Sequence, residues 1–294
     1  MITPDQLRGT GVALITPFNS QKEIDFEALE NMVNYVIRNQ VDFLVALGTT
    51  SEAATLSDKE KQEVVKHIIK TNDGRLPIIL GMGGNNTTQL VDTINLTNFE
   101  GIDGILSVAP YYNKPTQEGL YQHFKAVAEA SPVPIILYNV PSRTASNIEA
   151  NTTLRLANEF DNIIAVKEAS GNFEQIMDII KNRPDGFMVL SGDDATTLPL
   201  VSLGADGVIS VIANGFPFEF SQMVREAHNN AYEEARKLHY KMTDIIKDLF
   251  AEGNPAGIKA ILHARGLIQN NLRLPLVTVS EDLYKKLGKQ LNDF

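Results

Sequence analysis

Residues 162–171 read Asn-Ile-Ile-Ala-Val-Lys-Glu-Ala-Ser-Gly. The apolar run leads directly into Lys167, and such an unbroken run is typical of a strand buried on both faces. Lysine is among the residues least often buried, so its place at the end of this strand is unusual. Removal of water disfavours a charged ammonium, and the neutral amine is a nucleophile. We therefore predict that Lys167 forms a Schiff base with a keto substrate. The alternative is a lysine whose stem is covered while its head group reaches water.

Similar short apolar runs recur along the first 210 residues, and a helix-like segment follows each of them. This alternation of strand and helix predicts a parallel sheet. Eight such units favour a closed (β/α)₈ TIM barrel over an open sheet. The runs begin at Val12, Phe43, Pro77, Gly104, Pro134, Ile163, Phe187 and Gly207.

Two further features of the sequence define the expected architecture, the lack of a dinucleotide-binding motif and a helical C-terminal part. A dinucleotide-binding sheet needs Gly-x-Gly-x-x-Gly after its first strand, but Gly9-Thr-Gly11 precedes the first run and lacks the third glycine, so we reject that fold. The end of the chain reads as helices, with Glu233–Phe250 as one long segment. We expect a catalytic barrel over residues 1–230 and a small C-terminal helical extension over residues 231–294.

The composition of the 294 residues excludes several classes of function. The net charge of −10 argues against nucleic acid or an anionic membrane surface as a partner. The absence of cysteine excludes disulfides, thiolate metal sites and a cysteine nucleophile. The five histidines show no metal-binding spacing, so we expect no metal. Since we find neither a signal peptide nor 18 consecutive apolar residues, we expect a cytoplasmic location.

Reactive side chains follow several of the predicted strands. In a (β/α)₈ barrel the active site lies at the carboxyl ends of the strands, so we expect these side chains to face one opening. They are Thr49 and Thr50, Tyr111 and Tyr112, Tyr138, Arg143 and Lys167.

Each of these groups suits a step of Schiff-base chemistry. The carbinolamine formed on Lys167 must lose water, and the hydroxyl of Tyr138 can shuttle the proton. The donors of Thr49 and Thr50 suit the carboxylate of a keto acid. The forked guanidinium of Arg143 suits a second carboxylate.

Simpler explanations exist for each residue taken alone. The two threonines fit an ordinary turn. Tyr111 fits a packing or interface aromatic, and Arg143 fits a loop residue at the surface. Glu168 could handle protons, but a structural ion pair is the favoured interpretation.

The motifs together resemble those of the dihydrodipicolinate synthases, which belong to the pyruvate-dependent class I aldolase family with the N-acetylneuraminate lyases. The resemblance implies a TIM-barrel lyase that condenses pyruvate with aspartate-4-semialdehyde, the first committed step toward diaminopimelate and lysine. It implies a covalent imine and no cofactor. The motifs are Gly48-Thr-Thr-Ser-Glu52, Pro110-Tyr-Tyr-Asn113, Tyr138-Asn-Val-Pro-Ser-Arg-Thr144, Val166-Lys-Glu-Ala169, Ser191-Gly-Asp-Asp194 and Gly207-Val-Ile-Ser-Val211.

The resemblance also implies a role for each matching residue. Lys167 matches the Schiff-base lysine and Tyr138 the tyrosine of a proton relay. Thr50 matches the relay threonine, and Thr49 matches its hydroxyl partner, which also helps to bind pyruvate. Arg143 matches the arginine that holds the carboxylate of the semialdehyde. The sialic acid lyases lack this arginine, so it disfavours the alternative of a sugar-acid aldolase or lyase.

Two more matches concern the surroundings of the lysine. Ile209 matches a residue whose backbone carbonyl lies near the lysine. Tyr112 matches a tyrosine that crosses a subunit interface to complete the relay of a neighbour. The family is usually a homotetramer built as a dimer of dimers, and we expect the same here.

The sequence departs from the family pattern in two places. Ser51 stands where glycine is usual, and a positive φ there would cost about 1 kcal/mol, which we expect the turn to tolerate. Asn85 and Tyr111 match a possible allosteric site for lysine, but four neighbouring positions differ from lysine-sensitive members. We therefore predict weak or absent inhibition by lysine. The four are Ala53, Asp58, Lys61 and Gln89.

Overall fold

A computed structural model describes residues 2–294, in which eight parallel strands form a closed barrel in chain order. Each strand pairs with the next, and the eighth pairs with the first. The TIM barrel expected from the sequence is therefore confirmed. The strands are β1 Gly9–Ala13, β2 Phe43–Ala46, β3 Ile78–Gly81, β4 Gly104–Val108, β5 Ile135–Asn139, β6 Ile163–Glu168, β7 Met188–Ser191 and β8 Gly207–Ser210.

Helices follow the strands, and three more helices end the chain. Asp25 caps the first helix by accepting a hydrogen bond from Ala28 N, and Ser57 forms a capping box with Glu60. The helices are α1 Phe26–Arg38, α2 Asp58–Asn72, α3 Thr87–Leu96, α4 Gln117–Ala130, α5 Pro141–Thr144, α6 Ala150–Glu159, α7 Phe173–Asn182, α8 Thr197–Ser202, α9 Pro217–His228, α10 Tyr232–Ala251, α11 Ala256–Ala264 and α12 Glu281–Gln290.

The strands alternate between two apolar layers, because successive side chains of a strand point to opposite faces. On β2, Phe43 and Val45 fill the barrel interior, whereas Leu44 and Ala46 pack against the surrounding helices. On β6, Ala165 lies in the interior and Val166 lies outside. The same period directs residue 167 back into the barrel.

The first strand begins three residues earlier than the sequence predicts, so Gly9 and Gly11 belong to it. A Cβ on Gly11 would lie 2.1 Å from the ring of Phe43. Glycine at this position therefore makes room for an aromatic side chain that fills the barrel. The apolar run marks only the part of β1 that carries large side chains, which explains the error.

The C-terminal helices share the outer apolar layer of the barrel. Met242, Ile246 and Leu249 of α10 are buried in the same cluster as the helices that surround the strands. The predicted boundary falls in the connection between α9 and α10, and the division into two domains stays a prediction. Across residues 2–294, no helix is both long and apolar enough to cross a membrane.

Candidate active site

Tyr138 and Lys167 lie side by side at the carboxyl ends of β5 and β6, because they are paired residues in the strand register. Both side chains point into the barrel and are nearly buried, with Lys167 5% exposed. The Nζ atom of Lys167 lies 4.3 Å from the centroid of the Tyr138 ring. The amine is thus held against an aromatic face and away from bulk solvent.

Gly192, directly after β7, closes the other side of the lysine. A Cβ on Gly192 would lie 3.0 Å from Lys167 Cε and 2.7 Å from Ala169 Cβ. The lack of a side chain lets the backbone approach the lysine stem, which leaves Lys167 little freedom to move away from the tyrosine.

A cavity of about 460 Å³ opens at this end of the barrel. Its wall contains Lys167, Tyr138, Thr49, Thr50 and Arg143, which come from the carboxyl ends of three strands, β2, β5 and β6, or from the segments that follow them. The structure therefore brings together five of the side chains singled out by the sequence. Within residues 2–294 no cluster of three or more histidines and carboxylates could hold a metal ion.

Three other predicted residues lie outside the cavity wall. Ile209 is buried in the apolar cluster of the barrel interior, and Tyr111 is exposed on the loop after β4. Tyr112 is 83% exposed and its φ of 72° lies in the left-handed region, which is strained for a tyrosine. A large aromatic held in this conformation and open to solvent is a candidate for contact with another chain.

Thr49 and Thr50 lie in a short 3₁₀ helix, Thr49–Ser51, after β2. Ser51 is not among the left-handed residues, and its hydroxyl donates to Gly48 O at 2.7 Å. The positive φ falls on the next residue, Glu52, at 56°. Serine at position 51 therefore carries none of the backbone strain considered from the sequence.

Glu52 is fixed by the C-terminal region. It is buried and forms an ion pair with Lys259, which is also fully buried, and it accepts a hydrogen bond from Arg273 N at 3.0 Å. Burial lowers the pKa of Lys259 to about 8, although Glu52 opposes this shift. These contacts hold the turn that carries the two threonines.

The C-terminal helices also supply part of the cavity wall, which the sequence reasoning missed. Lys247 and Phe250 come from α10, and Asn254 precedes α11. The Nδ2 atom of Asn254 donates to Thr50 Oγ1 at 2.9 Å. The only signal in the sequence is the Gly-Asn-Pro break at residues 253–255, which shows where a helix ends and not what its end contacts.

Glu168 points away from the cavity, since it alternates with Lys167 along β6. It accepts hydrogen bonds from Asn139 Nδ2 at 2.8 Å, Gln175 Nε2 at 2.9 Å and Ser170 N at 3.2 Å. Burial raises its pKa. Its partners in the described part of the chain are amides and hydroxyls, so the predicted ion pair is wrong, and the carboxylate supports the back of the site.

Asp194 supports the loop after β8. It is buried and accepts hydrogen bonds from Val211 N at 3.1 Å and Ile212 N at 2.8 Å. Burial raises its pKa to about 6. Because Val211 lies in the cavity wall, this carboxylate fixes one side of the opening.

The two residues of the possible allosteric site lie together. Asn85 Nδ2 donates to Tyr111 O at 3.2 Å, and both side chains are exposed. This contact links the loop after β3 with the loop after β4.

Comparisons with known proteins agree over nearly the whole chain. Residues 6–294 match the model of the dihydrodipicolinate synthetase family. A 4-hydroxy-tetrahydrodipicolinate synthase from Parabacteroides distasonis is 55% identical over 285 residues, which are 97% of this chain and 96% of that protein. The enzyme of the same name from Flavobacterium psychrophilum is 54% identical over 287 residues, covering 97% of this chain and 98% of that protein.

A solved structure shows the same likeness. It is a chloride-inhibited dihydrodipicolinate synthase from Acinetobacter baumannii in complex with pyruvate, 41% identical to this chain. The TM-score is 0.94, with 98% of both chains covered.

Proposed function

Since this chain belongs to the dihydrodipicolinate synthetase family, we propose that it condenses pyruvate with L-aspartate-4-semialdehyde to give 4-hydroxy-tetrahydrodipicolinate. The observation that best supports this function is the buried amine of Lys167, which lies over the ring of Tyr138 in a cavity whose wall also contains Thr49, Thr50 and Arg143. Pyruvate in the related Acinetobacter structure supports a keto acid as the first substrate.

The reaction starts at the lysine. The amine of Lys167 attacks the ketone carbon of pyruvate, and the carbinolamine loses water to give an imine. Loss of a methyl proton gives an enamine, whose carbon attacks the aldehyde of the second substrate. The amino group of the semialdehyde then replaces Lys167 at the imine carbon, which closes the ring and frees the lysine. No cofactor is needed, because the imine itself accepts the electrons.

The other residues bind the substrates and move protons. Tyr138 delivers and removes the protons of imine formation, a role supported by its place beside Lys167 in the cavity wall. Thr50 passes protons to Tyr138, while Thr49 assists it and binds the pyruvate carboxylate. Arg143 lies in the cavity wall with its side chain exposed, and it binds the carboxylate of the semialdehyde.

The proposal extends to the assembly. A homotetramer built as a dimer of dimers would cover Tyr112, whose exposure and left-handed backbone support a contact with a neighbouring subunit. Ile209 would present its backbone carbonyl near the lysine. A cytoplasmic location and weak or absent inhibition by lysine are parts of the same proposal. Light scattering, cell fractionation and a lysine titration of the initial rate test these points.

Reduction with borohydride in the presence of pyruvate is the first test of the function. We expect a pyruvate-dependent mass gain on Lys167, no gain in Lys167→Ala, and an unchanged gain in Lys181→Ala, which removes an exposed lysine of α7. The lack of any gain would contradict an imine mechanism.

A two-substrate assay is the second test. Product should form when aspartate-4-semialdehyde and pyruvate are both present. Imine formation without condensation, together with cleavage of N-acetylneuraminate, would instead support the alternative of a sugar-acid lyase.

A further inference from the structure

We propose that Asn254 is a positioning residue that sets the direction in which the hydroxyl of Thr50 presents its proton. This inference rests on the proposed function, in which Thr50 belongs to the proton relay. The C-terminal region, to which Asn254 belongs, would then take part in the reaction together with the barrel.

The first argument is the hydrogen bond between the two side chains. Asn254 Nδ2 lies 2.9 Å from Thr50 Oγ1, and the exposed fractions of the two residues are 8% and 2%. A hydroxyl has one proton and two lone pairs, whereas the Nδ2 group can only donate. Asn254 therefore occupies a lone pair of Thr50 and leaves the threonine proton free. Among the hydrogen bonds of residues 2–294, Thr50 Oγ1 takes part in this one alone.

The second argument is the rest of the Asn254 amide. Its Oδ1 atom is buried and has no hydrogen-bond partner in the part of the chain that the structure describes. A buried acceptor without a partner reduces stability, so the amide is not explained by packing alone. Thr50 is the group that its side chain contacts, and both residues lie in the cavity wall.

The third argument is how firmly the two residues are held. Glu52 lies two residues after Thr50, and α11, which carries Lys259, begins two residues after Asn254. The buried pair of Glu52 and Lys259 joins the two segments a few residues away from the hydrogen bond. The asparagine amide is thus brought to the threonine by a rigid attachment, which a positioning group requires.

The consequence concerns proton transfer. With its lone pair occupied from the C-terminal side, Thr50 turns its O–H toward the cavity, whose wall contains Tyr138 and where the proposed substrate would bind. A threonine that turned its proton toward residue 254 instead would be unable to pass that proton on.

Asn254→Asp tests this directly, because a carboxylate of nearly the same shape only accepts hydrogen bonds. It would draw the threonine proton away from the cavity. We expect kcat at neutral pH to fall at least tenfold, while the KM for pyruvate changes less than threefold. The loss should shrink at lower pH, where the introduced carboxyl group is protonated and donates again to Thr50.

A double-mutant cycle separates positioning from simple damage. In a Thr50→Val background, Asn254→Asp should lower kcat by less than twofold, since no hydroxyl remains to be oriented. Asn158→Asp adds the same charge on the exposed face of α6 and should behave like wild type.

Three outcomes would overturn the inference while leaving the proposed function intact. The first is an active Asn254→Asp variant with wild-type kcat. The second is a loss of kcat that does not depend on pH, and the third is a loss of the same size in the Thr50→Val background. A wild-type protein that forms neither the imine nor the product contradicts the proposed function itself.

Discussion

At the scale of single residues, the site depends on which face of a strand each side chain occupies. Lys167 and Glu168 are neighbours in sequence, but the period of two sends the lysine into the cavity and the glutamate behind it. The register places Tyr138 beside Lys167 and Asn139 beside Glu168. One alignment of two strands therefore builds both the reactive pair and the hydrogen bonds that support it.

Gly192→Ala tests how closely the lysine is held. The new methyl group would meet Lys167 Cε at 3.0 Å and Ala169 Cβ at 2.7 Å, so the lysine or the strand end must shift. We expect imine formation with pyruvate, measured by borohydride trapping, to slow by about tenfold or more. Gly288→Ala is the matched control, because a Cβ there meets no atom within 4 Å. Gly186→Ala is unsuitable, because the φ of Gly186 is 82° and alanine would be strained there. An unchanged trapping rate would show that Gly192 does not constrain the lysine.

Arg143→Ala tests substrate assignment. Loss of the guanidinium should raise the KM for the semialdehyde by about tenfold or more and change the KM for pyruvate far less. Arg143→Lys keeps the positive charge but loses the forked guanidinium, so its KM for the semialdehyde should lie between those of wild type and Arg143→Ala. Steady-state kinetics with each substrate varied in turn measure this. An unchanged KM for the semialdehyde would remove the assignment of Arg143.

At the scale of elements, the strand ends are fixed by buried charged groups behind the cavity. Asp194 holds the backbone after β8, and the pair of Glu52 and Lys259 holds the turn after β2. These groups are charged, so the periodicity of apolar residues in the sequence does not reveal that they are buried.

The carboxyl group of Asp194 makes stability depend on pH. Its pKa is about 6 in the folded protein and 3.8 ordinarily, so the folded state binds the proton more tightly. The cost of burying the charged form is present above pH 6 and is relieved as the pH falls toward 4. Wild type should therefore gain up to about 3 kcal/mol relative to Asp194→Asn between pH 7 and pH 4. Urea unfolding of both proteins across this range measures the difference, and parallel curves would refute the assignment.

Lys259→Met tests the buried ion pair. The variant leaves Glu52 charged and without its cation, which we expect to lower the free energy of unfolding by about 3–5 kcal/mol. Lys259→Met combined with Glu52→Gln should recover much of this loss, because no unpaired charge remains. Chemical denaturation measures both variants. A double variant as unstable as the single one would show that packing, and not charge, is at stake.

At the scale of the whole molecule, the C-terminal helices complete the cavity that the barrel begins. Lys247 of α10 lies in its wall, in a protein whose net charge is −10. Both proposed substrates are carboxylates, so the overall field repels them and a cation at the opening attracts them.

Lys247→Ala should therefore lower kcat/KM for pyruvate about threefold at low salt, and the difference should shrink as salt screens the charge. Lys241→Ala removes a charge from the same helix outside the cavity wall and serves as the control. The measurement is kcat/KM over a range of salt concentrations. Equal effects of the two variants at every concentration would contradict steering by Lys247.

The sequence by itself determined the eight strands, the barrel and the central lysine. Each buried strand is a short apolar run, and each is followed by a helical segment, so both are visible in the local composition. Its strand ends were up to three residues off, as at β1, where glycine hides the pattern. The family motifs also identified Thr49, Thr50, Tyr138 and Arg143 by position.

The tertiary structure alone decided how distant segments meet. The hydrogen bond from Asn254 to Thr50 and the pairing of Lys259 with Glu52 each join residues about two hundred positions apart. The orientation of Glu168 toward amides and not toward a cation also depends on packing behind β6. Such contacts leave no periodic signal in the sequence. They form because the closed barrel and the helices packed on it bring distant polar groups together, and buried polar groups need hydrogen-bond partners.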